Sequence, residues 1–124
     1  MADTQASSQK PQITAGKFAN VDLRVARVLR APRAESTAAP CRVFHLDLGH
    51  LGERTAVGQY ALVDEDELLG RNVVACVNLG TRRIAGYESE VLVLGTPHPH
   101  RPSDSAQATP LFAASDARPG EAVF

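Results

Sequence analysis

Residues 71–79 read RNVVACVNL, a nearly continuous apolar run of strand length that begins directly after Gly70. A second run, EVLVLG at residues 90–95, follows a polar connection at residues 80–89. Short apolar runs bounded by turn residues are typical of strands buried in a protein core. Neither run approaches the roughly 20 residues that a membrane-spanning helix needs. The pair therefore predicts two core strands of a soluble β domain.

Three further strands are predicted upstream of this pair, at residues 21–29, 41–49 and 53–60. The second of them alternates strictly, with Phe44, Leu46 and Leu48 on the face that should enter the core. The first alternates at its start, and its phase then slips through residues 26–29, which predicts a β-bulge.

One short helix is predicted between the third and fourth strands, where residues 64–70 read DEDELLG. Asp64 is a suitable N-cap, the following acids favour the helix dipole, and Gly70 can end the helix. Five strands with one short helix in this position are typical of a Greek-key OB barrel. Sandwiches usually need about seven strands, and a parallel α/β sheet needs several long helices. We therefore predict an all-β, five-stranded OB-fold barrel with terminal extensions.

The chain of 124 residues fits a single domain. Residues 1–16 are rich in small polar residues and predict a flexible N-terminal tail. The predicted OB domain covers residues 17–124, with its core at 18–95 and a C-terminal extension at 96–124. The N-terminus lacks the apolar segment of a signal peptide. Cys41 and Cys76 lie in apolar runs and predict buried free thiols, so we expect a cytoplasmic protein without membrane insertion.

No catalytic motif or cofactor motif is present, and we predict neither an enzyme nor a bound cofactor. His98 and His100 could chelate a metal, but two histidines on a Pro-rich loop are more often ordinary loop residues. The acidic run at residues 64–67 lacks the spacing of a calcium loop. Cys41 and His45 share a strand face, and a packed thiol beside a surface histidine explains them better than a nucleophile does.

Arginine accounts for eleven of the 13 basic residues, although the net charge is −1. Such a charge argues against a polyelectrolyte-like binder and leaves room for a local basic patch. The planar guanidinium group of arginine binds phosphate oxygens well. The arginines concentrate in two regions of the sequence. The first two strands and their loop contain Arg24, Arg27, Arg30, Arg33 and Arg42, and the connection at residues 80–89 contains Arg82 and Arg83. For Arg30 and Arg33, simple solvated side chains remain an equal alternative.

Exposed aromatic rings, on which many OB domains stack bases, are scarce in this sequence. Tyr60 and Tyr87 are the only good candidates, because Phe18 and Phe44 fit the core pattern. Recognition of a folded RNA by its shape and backbone is therefore favoured over stacking on a single strand.

Several motifs together resemble the tRNA-binding OB domain family: VDLRVARV at residues 21–28, HLDLG at 45–49, LGRNVVACVNL at 69–79, RRIAG at 82–86 and SEVLVLG at 89–95. This family includes the C-terminal domain of methionyl-tRNA synthetases and free-standing tRNA-binding proteins. The RRIAGxxSEVLVLG ending is most similar to the CsaA branch of export-related chaperones. The resemblance implies a homodimer with a tRNA or peptide ligand.

The resemblance also implies RNA-binding roles for Asn78, Arg82, Arg83 and Ser89. Together with Arg24 and Arg42 from the basic strands, these residues form the predicted RNA site. Asn78 could instead cap a strand end, and Ser89 could shape a hairpin. The chain departs from the family pattern at Ala26, usually glycine, and at residues 57–58, where a serine hydroxyl is missing.

The predicted function is that of a tRNA-binding OB protein with CsaA-like chaperone activity in protein export. The predicted partners are tRNA or another structured RNA, unfolded or export-bound polypeptides, and a second copy of the chain. An alternative is a trans-acting tRNA-binding partner or scaffold for an aminoacyl-tRNA synthetase. Phe18, Leu111, Phe112 and Phe124 lie outside the predicted core and are candidates for the dimer surface. They could equally cover the barrel of their own chain.

Overall fold

The computed structural model describes residues 8–35 and 37–124. Within them the chain forms one short helix, two 3₁₀ turns and eleven strands, most of them short. The helix α1 is Ala15–Phe18, and the strands are β1 (Leu23–Arg30), β2 (Arg33–Ala34), β3 (Cys41–Asp47), β4 (Glu53–Gly58), β5 (Asn72–Cys76), β6 (Arg82–Ile84), β7 (Tyr87–Ser89), β8 (Leu92–Val93), β9 (Gly95–Pro97), β10 (Ala108–Pro110) and β11 (Ala122–Val123). The 3₁₀ turns are Gly49–Leu51 and Glu65–Glu67.

The main sheet is antiparallel and has the strand order β2-β3-β1-β5-β8, with β4 paired to β3 and β11 paired to β1. Strands β1, β3, β4, β5 and β8 correspond to the five predicted strands, which confirms the all-β, OB-like fold. The sheet curves until β4 and β8 touch, but among the described residues no ladder joins them, so the barrel stays open there. At the position of the helix predicted between β4 and β5, the structure has the shorter 3₁₀ turn Glu65–Glu67.

The predicted bulge in the first strand is confirmed, because Val28 pairs with Leu46 while Arg30 pairs with His45. Leu29 is the additional residue between them, and its side chain is exposed. A bulge bends its strand and strengthens the local twist. Strand β1 pairs with β5 along its first half and with β3 along its second, where the bulge lies.

The core is built around Phe44, which is fully buried together with Leu46 and Leu48, as the alternation predicts. Tyr60 packs edge-on against Phe44 with ring centroids 5.3 Å apart, and its hydroxyl donates to the carbonyl of Val93 at 2.8 Å. The prediction of Tyr60 as an exposed ring is therefore wrong, since it is only 5% exposed. Phe18, for which both a core position and a place on the dimer surface are predicted, is 51% exposed on α1.

The connection at residues 80–89 forms a hairpin of β6 and β7, which the apolar pattern did not reveal. Ala85 and Gly86 make its turn with φ angles of 50° and 89°. Positive φ at both central residues matches the right-handed twist of paired strands, as in type I′ turns. Ile84 and Tyr87 pack from this hairpin onto a second small cluster of Cys41, Val43 and Val57.

The predicted excursion at residues 96–109 contains a second hairpin, formed by β9 and β10. Gln107 fixes it to the barrel. The buried side-chain amide of Gln107 accepts from the N–H of Ala61 at 2.9 Å and donates to the carbonyl of Pro40 at 2.8 Å. The bond to Ala61 satisfies the N–H of a buried residue, which would otherwise lack a partner.

The boundaries predicted for the terminal segments remain a prediction. Residues 1–7 of the predicted tail lie outside the described residues, and α1 begins at Ala15, where the Thr14 hydroxyl accepts from the N–H of Lys17. Cys41 and Cys76 are free and buried, as predicted. Among the described residues, no helix has the length and apolar character needed to cross a membrane.

Candidate functional site

A cleft of about 520 Å³ opens on the outer face of β3 and β4, and we call it the β3–β4 cleft. One wall comes from the connection between β1 and β3, and the other comes from the β6–β7 hairpin. Its lining residues are Pro32, Arg33, Glu35, Val43, His45, Thr55, Gly86, Tyr87 and Glu88. In OB folds, oligonucleotides bind to this face between these two connections.

Hydrogen bonds hold the two walls of the cleft together. The Tyr87 hydroxyl accepts from the N–H of Glu35 at 3.2 Å and so ties the hairpin to the opposite wall. The Thr55 hydroxyl donates to the carbonyl of Glu88 at 2.7 Å and ties the hairpin to β4. The hairpin is therefore fixed over the sheet rather than extending freely into solvent.

His45 lies in the cleft with one of its ring nitrogens already engaged. Its Nδ1 is 3.2 Å from Nη2 of Arg30, and because arginine only donates, Nδ1 must accept. Desolvation by burial lowers the pKa of His45, and the charge of Arg30 lowers it further, against an opposite effect of Glu53. Both observations favour a neutral ring with its proton on Nε2.

Arg82 and Arg83, for which RNA contacts are predicted, are exposed on the β6–β7 hairpin. Arg83 Nη2 lies 3.1 Å from Oε2 of Glu88, and both side chains are more than half exposed. An ion pair so exposed contributes little to stability and is easily exchanged for another anion. Ser89, by contrast, is buried and accepts from the N–H of Val57 while donating to the carbonyl of Val91. These two bonds join the end of β7 to β4 and to the segment that follows it.

Arg42 on β3 is buried and only 6% exposed. Its Nε donates to the carbonyl of Val63 at 2.9 Å, and its Nη1 donates to the carbonyl of Ala31 at 2.8 Å. The guanidinium thus joins the start of the β1–β3 connection to the segment before the 3₁₀ turn. Its observed contacts are structural, and we leave Arg42 out of the proposed RNA surface.

Arg24 and Asn78 lie together at another place, near the start of β1. Arg24 donates to Asp22 at 2.7 Å and to the carbonyl of Gly120 at 3.0 Å. The Asn78 side chain accepts from the N–H of Asp22 at 3.0 Å and donates to the carbonyl of Asn20 at 2.7 Å. Both side chains fasten the segment between α1 and β1 to the sheet.

The six residues predicted for one RNA site are therefore found in three places, and only Arg82 and Arg83 are free to contact a ligand at the hairpin. Sequence reasoning missed His45, Thr55 and Glu35 as cleft residues. The alternation of β3 does place His45 on the outer face, but nothing in the sequence shows which loops flank that face.

The two histidines considered as metal ligands lie outside this cleft. His98 Nδ1 accepts from the N–H of His100 at 3.1 Å, and their rings lie 5.8 Å apart. Among the described residues, no group of three or more potential ligands is close enough to hold a metal ion.

The candidates for the dimer surface divide into two locations. Phe18 and Phe124 line a shallow cavity of about 630 Å³ between α1 and β11. Leu111 and Phe112 lie beside β5, where Phe112 forms a bridge with Val73 and the guanidinium carbon of Arg71 stands 3.4 Å from the Phe112 ring centroid.

The open, five-stranded core and the flanked β3–β4 cleft define an OB-type domain. A family model described as putative tRNA binding domain matches residues 23–122. The chain belongs to this tRNA-binding domain family, which confirms the resemblance seen in the sequence.

Relatives of two kinds are similar to the chain. It is 38% identical over 85 residues to the methionine–tRNA ligase of Chloroherpeton thalassium, covering 68% of the chain and 12% of the ligase. It is 33% identical over 119 residues to the methionine–tRNA ligase of Dichelobacter nodosus, and this match covers 95% of the chain and 17% of the ligase. The chain thus spans less than a fifth of these ligases. The solved structure of the chaperone CsaA from Bacillus anthracis superposes with a TM-score of 0.80 at 26% identity, covering 92% of this chain and all of that one.

Proposed function

We propose that this protein is a tRNA-binding module and not an enzyme, and that it binds structured RNA across the β3–β4 cleft. The observation that carries the proposal is the placement of exposed Arg82 and Arg83 on the hairpin that walls this cleft. Arg33 lies on the opposite wall and Arg30 beside His45, so basic groups flank the cleft on both sides. Membership of the tRNA-binding domain family supports RNA as the ligand.

A double substitution, Arg82→Ala with Arg83→Ala, tests the proposal. Since phosphate contacts release counterions, removing two of them should weaken tRNA binding and reduce the slope of log affinity against log salt by about 1.5. Fluorescence anisotropy with labelled tRNA at several salt concentrations measures both quantities.

The matched control is Lys10→Ala with Arg118→Ala, which removes the same charge from exposed positions outside the hairpin. This variant should keep the wild-type slope. Equal losses in the two double variants would mean that only net charge matters and that the cleft is not the RNA site.

We also propose a chaperone activity on unfolded or export-bound polypeptides, supported by the similarity to the chaperone CsaA. An apolar cavity of about 300 Å³, with Cys41, Phe44, Ile84 and Leu92 among its lining residues, offers a place for an apolar side chain. The purified protein should then slow the aggregation of a chemically denatured reporter enzyme. The Arg82→Ala and Arg83→Ala variant should slow aggregation as well as the wild type does. If the wild-type protein does not slow aggregation, the proposed chaperone activity is refuted.

A homodimer is proposed through the surface between α1 and β11. Phe18, Val21 and Phe124 expose apolar area there, and a stable dimer needs roughly 800 Å² from each partner. Sedimentation should give a dimer for the wild type and a monomer after Phe18→Ser with Phe124→Ser, while Leu111→Ser should not change the mass. A wild-type monomer at micromolar concentration would contradict this.

A cytoplasmic location is part of the same proposal, and the two free buried thiols support a reducing compartment. The alternative role as a trans-acting partner or scaffold of a synthetase predicts co-elution with that enzyme in the absence of RNA. Co-elution that depends on RNA would favour the tRNA-binding role alone.

A further inference from the structure

A cavity of about 580 Å³ lies where three segments of the chain meet, and we call it the Gln107 cavity. These segments are the β1–β3 connection, residues 59–62 after β4, and the β9–β10 connection. The buried Gln107 side chain joins all three through its bonds to Ala61 and Pro40. The volume falls within the range of roughly 300–1,000 Å³ of small-ligand sites, which are largely preformed. The Gln107 cavity is therefore a candidate site for a small molecule.

Hydrogen bonds also fix the part of the β9–β10 connection that lines the Gln107 cavity. The N–H of Ser105 donates to the carbonyl of Pro102 at 3.0 Å, and the N–H of Gln107 donates to the Ser105 hydroxyl at 3.0 Å. The N–H of His98 donates to the carbonyl of Gln107 at 2.9 Å. Asp104 is thus carried on a turn whose backbone is held at both ends.

Two groups of opposite charge line the Gln107 cavity, the guanidinium of Arg33 and the carboxylate of Asp104. Arg33 also lines the β3–β4 cleft, but its Nη2 donates at 3.3 Å to the carbonyl of Ala61, a residue that lines the Gln107 cavity and not the cleft. Neither Arg33 nor Asp104 belongs to an ion pair among the described residues. Both charges are therefore available to a ligand.

The rest of the lining is mostly apolar, with Pro40, Leu62 and Pro102 among its residues. Among the described residues that line the cavity, none is aromatic, so a nucleobase would find no ring on which to stack. Asp104 would repel an anion and Arg33 would repel a cation, which disfavours a ligand with a single charge. A ligand that carries both charges beside an apolar group matches all of these features.

We infer that the Gln107 cavity binds a small zwitterion with an apolar side chain, the chemistry of a free aliphatic amino acid. The carboxylate of the ligand pairs with Arg33, and its ammonium group pairs with Asp104, each through charge-assisted hydrogen bonds. The aliphatic side chain packs against Leu62 and Pro102. This inference goes beyond the proposed function and does not depend on RNA binding.

Four compounds of similar size test the inference on the unchanged protein. At a pH of about 6, leucine carries both charges, leucinamide only the ammonium group, isocaproate only the carboxylate, and N-acetylleucinamide neither. Amide NMR titrations that follow Leu62, Ser105 and Ala106 measure the four affinities. Leucine should bind about fivefold more tightly than either singly charged compound, which is the upper range for one exposed ion pair. Equal affinity for leucine and N-acetylleucinamide, or no shift of these three signals with leucine, would overturn the inference.

Two substitutions assign the charges to their partners. Asp104→Asn should weaken leucine binding about fivefold and should not weaken isocaproate binding, because isocaproate has no ammonium group. Arg33→Gln should weaken both leucine and isocaproate and should not weaken leucinamide. Asp116→Asn makes the matched change at an exposed position outside the cavity and should leave all four affinities at their wild-type values.

The amide spectra of the variants also show whether each of them is folded. If folded Asp104→Asn protein binds leucine as tightly as the wild type does, the inference is refuted. That result would leave the proposed RNA binding intact, because the latter is measured with tRNA and with the substitutions on the β6–β7 hairpin.

Discussion

Replacing Arg42 by methionine should destabilise the protein and leave RNA binding by the folded protein unchanged. The buried guanidinium is the donor to two backbone carbonyls, those of Val63 and Ala31. A buried acceptor that loses its partner costs about 1–3 kcal/mol. Methionine refills part of the volume with apolar atoms, so we expect a net loss of about 2–4 kcal/mol from the free energy of unfolding. That is a large fraction of the roughly 5–15 kcal/mol typical of a small domain.

Urea denaturation followed by circular dichroism measures this loss, since the chain has no tryptophan. Arg82→Met makes the same chemical change on the exposed hairpin and should shift the unfolding free energy by no more than about 0.5 kcal/mol. Tight tRNA binding by folded Arg42→Met protein is expected. The reasoning fails if Arg42→Met is as stable as Arg82→Met, or if the folded variant no longer binds RNA.

Three further substitutions test local features. Ala85→Asn should raise the unfolding free energy by about 0.5–1 kcal/mol, because asparagine tolerates the positive φ of the hairpin turn better than alanine does; a lower urea midpoint would contradict this. The pKa of His45 is lowered from 6.5, so the unfolded chain binds more protons than the folded one and stability should fall as pH drops below about 6.5. His45→Gln should flatten that part of the pH profile. Burial raises the pKa of Tyr60 to about 12, and Tyr60→Phe should abolish the late phase in an ultraviolet titration of the phenols.

The strands that alternate or run continuously apolar could be predicted from the sequence because their residues face a core on a fixed period. Phe44, Leu46 and Leu48 follow that period and are all fully buried. The phase slip in the first strand predicts the bulge at Leu29, because an additional residue shifts the side chains that follow it to the opposite faces of the sheet. In each case the signal lies within a few consecutive residues, where side-chain direction is set by the backbone.

The parts that could not be predicted depend on contacts between distant segments. Tyr60 is buried because Phe44 and the carbonyl of Val93 meet it, and both come from other strands. Phe18 lies on a four-residue helix, none of whose residues is buried. The apolar pattern does not show the β6–β7 hairpin, because its strands have only three residues each and it is held by Thr55 of a distant strand.

The arginines show why residue type alone does not define an RNA site. Arg24 and Arg42 donate to carbonyls of their own chain, and Asn78 bonds the backbone of residues 20–22. These three side chains therefore stabilise the fold of their own chain. Of the six residues predicted for the RNA site, Arg82 and Arg83 are the two with exposed guanidinium groups on the β6–β7 hairpin. A net charge of −1 is compatible with RNA binding because the position of a few exposed arginines matters more than their number.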